Sequence, residues 1–173
     1  MEEVILVDEN DKQIGTAEKL QAHKDGKLHR AFSVFVFNSE GKLLLQQRAK
    51  SKYHSPGLWT NTVCSHPRLG ESVEQAAHRR LKEEMGFDCE LKEAFTFTYK
   101  TKFDNGLTEN EFDHVLIGNY DGNPTSNPEE VESWKWVEME ELKKDIQANP
   151  ENYSYWLRVA IDKVENRFSE KTL

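Results

Sequence analysis

The stretch Glu71-Ser72-Val73-Glu74-Gln75-Ala76-Ala77-His78-Arg79-Arg80-Leu81-Lys82-Glu83-Glu84-Met85-Gly86-Phe87 decides how this chain reads. Its spacing predicts a helix over 71–85. At about 100° per residue, Val73, Ala76, Ala77 and Leu81 form one apolar face, and Arg80 and Glu84 fall inside that same stripe. Two charges therefore point toward the interior. A buried i,i+4 ion pair is the plain explanation, but Arg preceding Glu is the weaker order, and burying charge is costly unless it serves a purpose. Arg79 and Glu83 lie off this face and read as a solvated edge.

Outward from this helix the chain reads as strands first and helices late. Val4 to Val7 and Gln13 to Thr16 flank an Asp8-Glu9-Asn10-Asp11 turn, which predicts a hairpin. Ala31 to Phe37 is nearly all apolar and β-branched or aromatic, as for a strand buried on both faces. Asn38-Ser39-Glu40-Gly41 turns it into a second strand, Lys42 to Gln47. Glu93 to Phe103 alternates, with Phe95, Phe97, Tyr99 and Thr101 on one face, and Asp104-Asn105-Gly106 leads it into Glu109 to Tyr120. Trp134 to Val137 reads as a last short strand. Further helices are expected at Glu138 to Gln147 and at Pro150 to Phe168, where Trp156, Leu157, Ala160, Ile161, Val164 and Phe168 make an apolar stripe. Asp121 to Glu130, rich in Gly, Pro, Asn and Ser, reads as a surface loop. Sheet plus helices without strict βαβ alternation predicts an α+β fold, a mixed sheet packed between helices.

Composition narrows the function. The 173 residues suit a single domain with a sizeable core, and 31 acidic against 23 basic side chains give a formal net charge of -8. Such a chain lacks the basic excess that nucleic acid or an anionic membrane surface draws on, so neither is an expected partner. Any anionic ligand needs a local cluster of cations. Cys64 and Cys89 are too few for a disulfide scaffold and suit a reducing compartment, and the acidic N-terminal segment is unlike a signal peptide, so a cytoplasmic location is expected.

Several residues invite a functional reading beside a bland one. His23 and His29 bracket Lys24-Asp25-Gly26-Lys27, a turn able to bring two imidazoles together, although single histidines more often sit in a core or on a surface. Glu109 and Glu111 share one face of a strand, as ligands or as a solvated acidic edge. Cys64 lies in a polar stretch two residues before His66, whereas Cys89 fits a small buried apolar residue. His54, His78 and His114 have no such support and are left structural or exposed. Lys19, Arg48, Lys52 and Arg80 are scattered in sequence, which normally means solvated surface.

Glu71 followed by Arg79-Arg80-Leu81-Lys82-Glu83-Glu84-Met85-Gly86-Phe87 resembles the Nudix box, the loop-helix-loop whose glutamates hold a divalent cation against a diphosphate. Over about residues 65–87 this chain departs from it twice: Ser65 stands in place of the first Gly, and Arg80 in place of the glutamate that hydrolases carry after the Arg. The second departure weakens the multi-metal clamp that would activate water. Both are acceptable variants in type 1 isopentenyl-diphosphate isomerases, which the chain resembles from about Ile5 to Phe168. The segments that carry this resemblance are Leu28-His29-Arg30-Ala31-Phe32-Ser33, Gly57-Leu58-Trp59-Thr60-Asn61-Thr62-Val63-Cys64-Ser65-His66-Pro67 and Glu109-Asn110-Glu111.

The resemblance implies a single Nudix-like domain over 1–173, isomerising isopentenyl to dimethylallyl diphosphate by proton transfer. It assigns Cys64 and Glu111, the latter assisted by Tyr99, as the two proton-transfer groups, with Glu111 and Tyr99 on the acid side and a Cys64 thiolate as base. His23, His29, His66, Glu109 and Glu111 would hold one metal, for which imidazole and carboxylate ligands suit zinc, manganese or iron. Glu84 would hold magnesium against the diphosphate, Lys19, Arg48, Lys52 and Arg80 would clamp that diphosphate, and Trp156 would face a carbocation. A Nudix hydrolase of a diphosphate compound is the alternative, and a non-catalytic domain stapled by a metal is a third reading.

Overall fold

The structure, a computed structural model, describes residues 2–52 and 55–172, the side chains of 169–172 excepted; His54 lies outside these described residues. The chain runs β1 (Glu3–Val7), β2 (Gln13–Glu18), α1 (Lys19–Asp25), β3 (His29–Phe37), β4 (Leu43–Arg48), β5 (Trp59–Thr60), β6 (Val63–Ser65), α2 (Val73–Met85), β7 (Leu91–Lys102), β8 (Thr108–Asn119), β9 (Val131–Val137), α3 (Met139–Ala148), a 3-10 turn (Pro150–Asn152) and α4 (Tyr155–Thr172). Among the described residues no helix is long and apolar enough to cross a membrane.

The apolar run around Ala31 becomes the central strand. Nine consecutive residues of β3 pair in parallel with β8, from His29 opposite Glu111 to Phe37 opposite Asn119, while β7 and β8 form a long antiparallel hairpin. Because strand side chains alternate, Phe32, Val34 and Val36 pack on one face with Ala76, Ala77, Leu81 and Met85 of α2. Phe35 and Phe37 pack on the other with Leu142 and Ile146 of α3 and Leu157, Ala160, Ile161 and Val164 of α4. The mixed sheet is thus sandwiched between helices, as expected.

The expected hairpin of β3 and β4 forms at its base. The two strands pair at Phe37 and Leu43, and β4 otherwise runs beside β9 and β5. Polar side chains of Gln46, Asn61 and Thr62 fill the seam between them. Thr62 Oγ1 accepts from the Val36 amide and donates to the Leu44 carbonyl, at 3.0 and 2.7 Å. Asn61 Nδ2 donates to the Val34 and Val63 carbonyls at 3.0 Å each, and Gln46 Nε2 donates to the Thr62 carbonyl at 2.7 Å. All three side chains are buried, and they satisfy backbone groups that a continuous ladder would otherwise pair. The seam opens toward Cys64 and Gln46.

Three elements depart from expectation. Lys19–Asp25, where no helix is expected, is a two-turn helix that Glu18 caps by accepting from the Leu20 and Gln21 amides, and the turn read at Lys24-Asp25-Gly26-Lys27 is its C-terminal end. The expected strand at Trp134 begins earlier, at Val131. The last helix does not start at Pro150: after the 3-10 turn the Ser154 amide donates to the Trp59 carbonyl, so α4 begins only at Tyr155.

Candidate active site

Helix α2 is fixed at both ends. Ser72 and Gln75 form a capping box at its start, and Gly86 ends it at φ 71°, where an added Cβ would also collide with the Thr125 carbonyl. The two charges in its apolar stripe do point inward. Glu84 is 4% exposed; its Oε2 receives Arg80 Nε at 3.1 Å and its Oε1 receives Gln46 Nε2 at 3.2 Å. Burial pushes the Glu84 carboxyl up, with Arg80 opposing. The i,i+4 pair therefore exists, but it lines a cavity rather than the core. Arg79, off this face, makes a two-pronged contact with Glu71 at 2.7 and 2.8 Å, closing the preceding loop onto the helix.

Three histidines and a glutamate come together from four segments of the chain. His23 on α1, His29 at the start of β3, His66 just past β6 and Glu111 on β8 are all buried, and their ligand atoms lie within 4.8 Å of one another. Backbone carbonyls orient two of the rings: His23 Nδ1 lies 2.7 Å from the Lys19 oxygen and His29 Nδ1 lies 2.9 Å from that of Lys27. This leaves each Nε2 facing inward with a lone pair when the ring is neutral. His29 Nε2 then sits 3.2 Å from His66 Nε2 and 3.1 Å from Glu111 Oε2, and His66 Nε2 sits 2.7 Å from the same oxygen. Acceptors converging this closely require a proton or a metal cation between them. Burial drives His66 down to about 3, whereas for His29 the Glu111 carboxylate outweighs burial and holds the ring above its ordinary value. Burial works against the charge on Glu111, but hydrogen bonds from His29 and His66 hold it well below the usual carboxylate range. The donor set fits a divalent ion, since the charge that a proton supplies here is what a metal would supply.

Glu109 is buried against this group without joining its tight set: its Oε2 is 3.9 Å from His23 Nε2. Tyr99 lies behind both carboxylates and donates its hydroxyl to Glu109 and Glu111. Burial and the two carboxylates push the phenol well up, so it keeps its proton.

Cys64 stands opposite Ser33 in the β3–β6 pairing. Its thiol reaches Asn61 Oδ1 at 3.0 Å and Ser33 Oγ at 3.6 Å, and Ser33 Oγ donates to Asp113 Oδ2 at 2.8 Å. The resemblance implies a Cys64 thiolate; in this structure burial, then the nearby Asp113 carboxylate, push the thiol up. Cys89 is half-buried in the α2 core and burial raises it to about 11, in keeping with an inert thiol. Both cysteines are free. His78 contacts Asp88, and His114 lies between Asp11 and Glu93, away from this centre.

A pocket opens beside these groups, and its lining joins Lys19, Arg48, Lys52 and Arg80 with Cys64, Glu84, Glu109, Glu111 and Trp156. The scattered cations thus converge, in an acidic protein, on one pocket. Trp156 is buried, and the Arg48 guanidinium carbon lies 5.4 Å from its ring centroid, within cation–π range. Sequence reasoning missed Ser33, Gln46, Asn61, Asp113 and Glu130. Ser33 had a signal as the one hydroxyl in an apolar strand, and Asp113 as the next residue in phase with Glu109 and Glu111.

The NUDIX domain profile matches residues 27–157. The chain is 58% identical over 163 residues to isopentenyl-diphosphate Delta-isomerase 2 of Aromatoleum aromaticum, covering 94% of this chain and 86% of that one. It is 52% identical over 155 residues to the isopentenyl-diphosphate Delta-isomerase of Serratia proteamaculans, covering 90% and 87%. A Deinococcus radiodurans protein of known structure superimposes with a TM-score of 0.79 at 22% identity, covering 94% and 98%. A MutT NUDIX hydrolase of Burkholderia pseudomallei superimposes with a TM-score of 0.64 at 21% identity, covering 79% and 98%. The last two are likenesses of fold.

Proposed function

The chain belongs to the isopentenyl-diphosphate Delta-isomerase family, on the NUDIX fold, and from that membership we propose that it isomerises isopentenyl diphosphate to dimethylallyl diphosphate. One observation supports this reading above the others: a single cavity is lined by two proton-transfer groups, Cys64 and Glu111, and by four cations. An unactivated alkene is a poor base, so one group must protonate its terminal methylene while another takes a proton from the carbon nearer the diphosphate. The intermediate is a tertiary carbocation. Cys64 acts at one side and Glu111, hydrogen-bonded by Tyr99, at the other; whichever gives the proton forward receives it in reverse. Lys19, Arg48, Lys52 and Arg80 hold the diphosphate, and Trp156 covers the hydrocarbon end.

The metal requirement follows from the donors. A zinc or other first-row ion held by His23, His29, His66 and Glu111, with Glu109 beside them, supplies charge that fixes the Glu111 carboxylate, and magnesium at Glu84 supplies charge against the diphosphate. Trp156 and Glu111, both buried, line the pocket on the side where the cation forms. In this reading the chain is a single domain working in the cytoplasm, on a small diphosphate.

Proton NMR of isopentenyl diphosphate incubated with the protein in D₂O tests the proposal. Deuterium entering the methyl group, with the diphosphate intact, is the expected result; released phosphate would make the chain a hydrolase, and no turnover would leave a metal-stabilised domain. Cys64→Ala and Glu111→Gln should each lower turnover by about 10²- to 10⁴-fold while keeping the fold. A variant that retains near-native turnover removes that residue from the assignment.

A further inference from the structure

We propose that Glu130 is an internal counter-ion that makes capture of a diphosphate depend on a divalent cation; this rests on the cavity's cations being the diphosphate clamp. Glu130 ends the loop after β8 and lines the cavity. Its Oε2 lies 3.4 Å from Arg80 Nη2 and pairs with Lys52 Nζ, so one carboxylate oxygen engages two of the four clamp cations at once. Its backbone is anchored, with the Glu130 amide donating to the Asn127 carbonyl at 3.0 Å and its own carbonyl accepting from the Ala49 amide at 3.1 Å. The loop is tied in turn to the end of α2, since the Asn127 amide donates to the Glu84 carbonyl at 2.9 Å. The carboxylate is thereby delivered from a fixed backbone to the position that a phosphate oxygen would take.

Arg80 also donates to Glu83 and Glu84, at 2.8 and 3.1 Å, and Lys19 lies 3.5 Å from Glu2. Glu130 bridges Arg80 of α2 to Lys52, which follows β4. An incoming diphosphate must displace it from both cations, and the displaced carboxylate then lies within a few ångströms of a multiply charged anion. That repulsion opposes the anion alone and is offset when a divalent cation arrives with it. Glu130 thus selects the metal complex of the diphosphate over the free anion, by opposing the wrong species rather than by adding a contact to the right one.

Calorimetric titration of inorganic pyrophosphate into the 173-residue chain, with and without Mg²⁺, tests this. Without Mg²⁺, Glu130→Gln should bind pyrophosphate about five- to tenfold more tightly than wild type, and the gain on adding Mg²⁺ should shrink by the same factor. Glu130→Ala reads the same quantity should the amide variant fold poorly. Lys52→Gln should lose affinity under both conditions. Equal or weaker cation-free binding by the Glu130 variants overturns the counter-ion role. Unchanged binding by Lys52→Gln overturns instead the diphosphate reading beneath it.

Discussion

In sequence Trp156 falls in line with Leu157, Ala160, Ile161 and Val164 of α4, so periodicity alone assigns it to the core, and it is buried. Its place in the cavity wall, with Arg48 at cation–π range, adds the second role. An indole face opposite a developing positive charge gains more in the intermediate than in the neutral alkene, and that difference is what accelerates a step. About 2 kcal/mol of such stabilisation corresponds to roughly thirtyfold in rate. Trp156→Phe keeps a weaker π-face and Trp156→Leu keeps only bulk, so turnover should fall in that order, with KM changing less because all four cations of the diphosphate clamp are kept. Steady-state kinetics of the two variants checks this, and equal turnover in both would reduce Trp156 to packing. Cys64 shows the same doubling at residue scale. Asn61, which offers its Oδ1 to the thiol, also closes the seam between β3 and β4, so the side chain beside the reactive sulfur is held by the fold itself.

At the scale of elements, the loop before α2 is held by charge. Glu71 is hydrogen-bonded by the Arg79 guanidinium and by the Arg68 amide, and the Arg79 contact first of all holds its carboxyl below the usual range. A carboxyl depressed in the folded state contributes stability above its unfolded pKa and loses it as the pH falls through the folded one. Glu71→Gln should therefore cost about 1 kcal/mol in urea unfolding at neutral pH, and the gap to wild type should close as the pH drops below about 4. A gap independent of pH would mean that the carboxylate charge is not what holds the loop. This helix and its inward Arg80 and Glu84 were legible because thirteen residues display the helical period more than three times over. Strand β3 was legible for its unbroken apolar run. Helix α1 and strands β5 and β6, at seven, two and three residues, are too short to show a period and exist because their neighbours supply the partners. The pairing of β3 with β4 was half legible: the Gly41 turn is visible in sequence, but Thr62 entering the seam is a contact that no local pattern encodes. Glu130 was hidden in the same way, as one more acid at the end of a polar loop.

At the scale of the whole molecule, the four donors of the buried cluster come from segments far apart in the chain. His23 comes from α1 beyond the N-terminal hairpin, His29 from β3, His66 from the turn after β6 and Glu111 from β8. An ion bound to them ties α1 to the sheet, and an ion that binds only the folded arrangement stabilises it by mass action, by about 4 kcal/mol at a thousandfold excess over its dissociation constant. For a protein of this size each kcal/mol is worth roughly 2–4 °C, so stripping the metal should lower Tm by roughly 10 °C, with recovery on adding zinc or manganese. The sign with pH is set by the ligands. Imidazole must be neutral to bind, so acid favours release, and the difference between metal-loaded and stripped protein should narrow as the pH falls toward 5. In this structure burial holds His66 down while the Glu111 carboxylate holds His29 above its ordinary value, so a proton held within this cluster competes with the metal. Scanning calorimetry with and without chelator across that pH range, together with metal analysis of the purified protein, measures both effects. An unchanged Tm after complete metal removal would show that the cluster is already satisfied by its own protons, and that the ion, where present, serves the reaction alone.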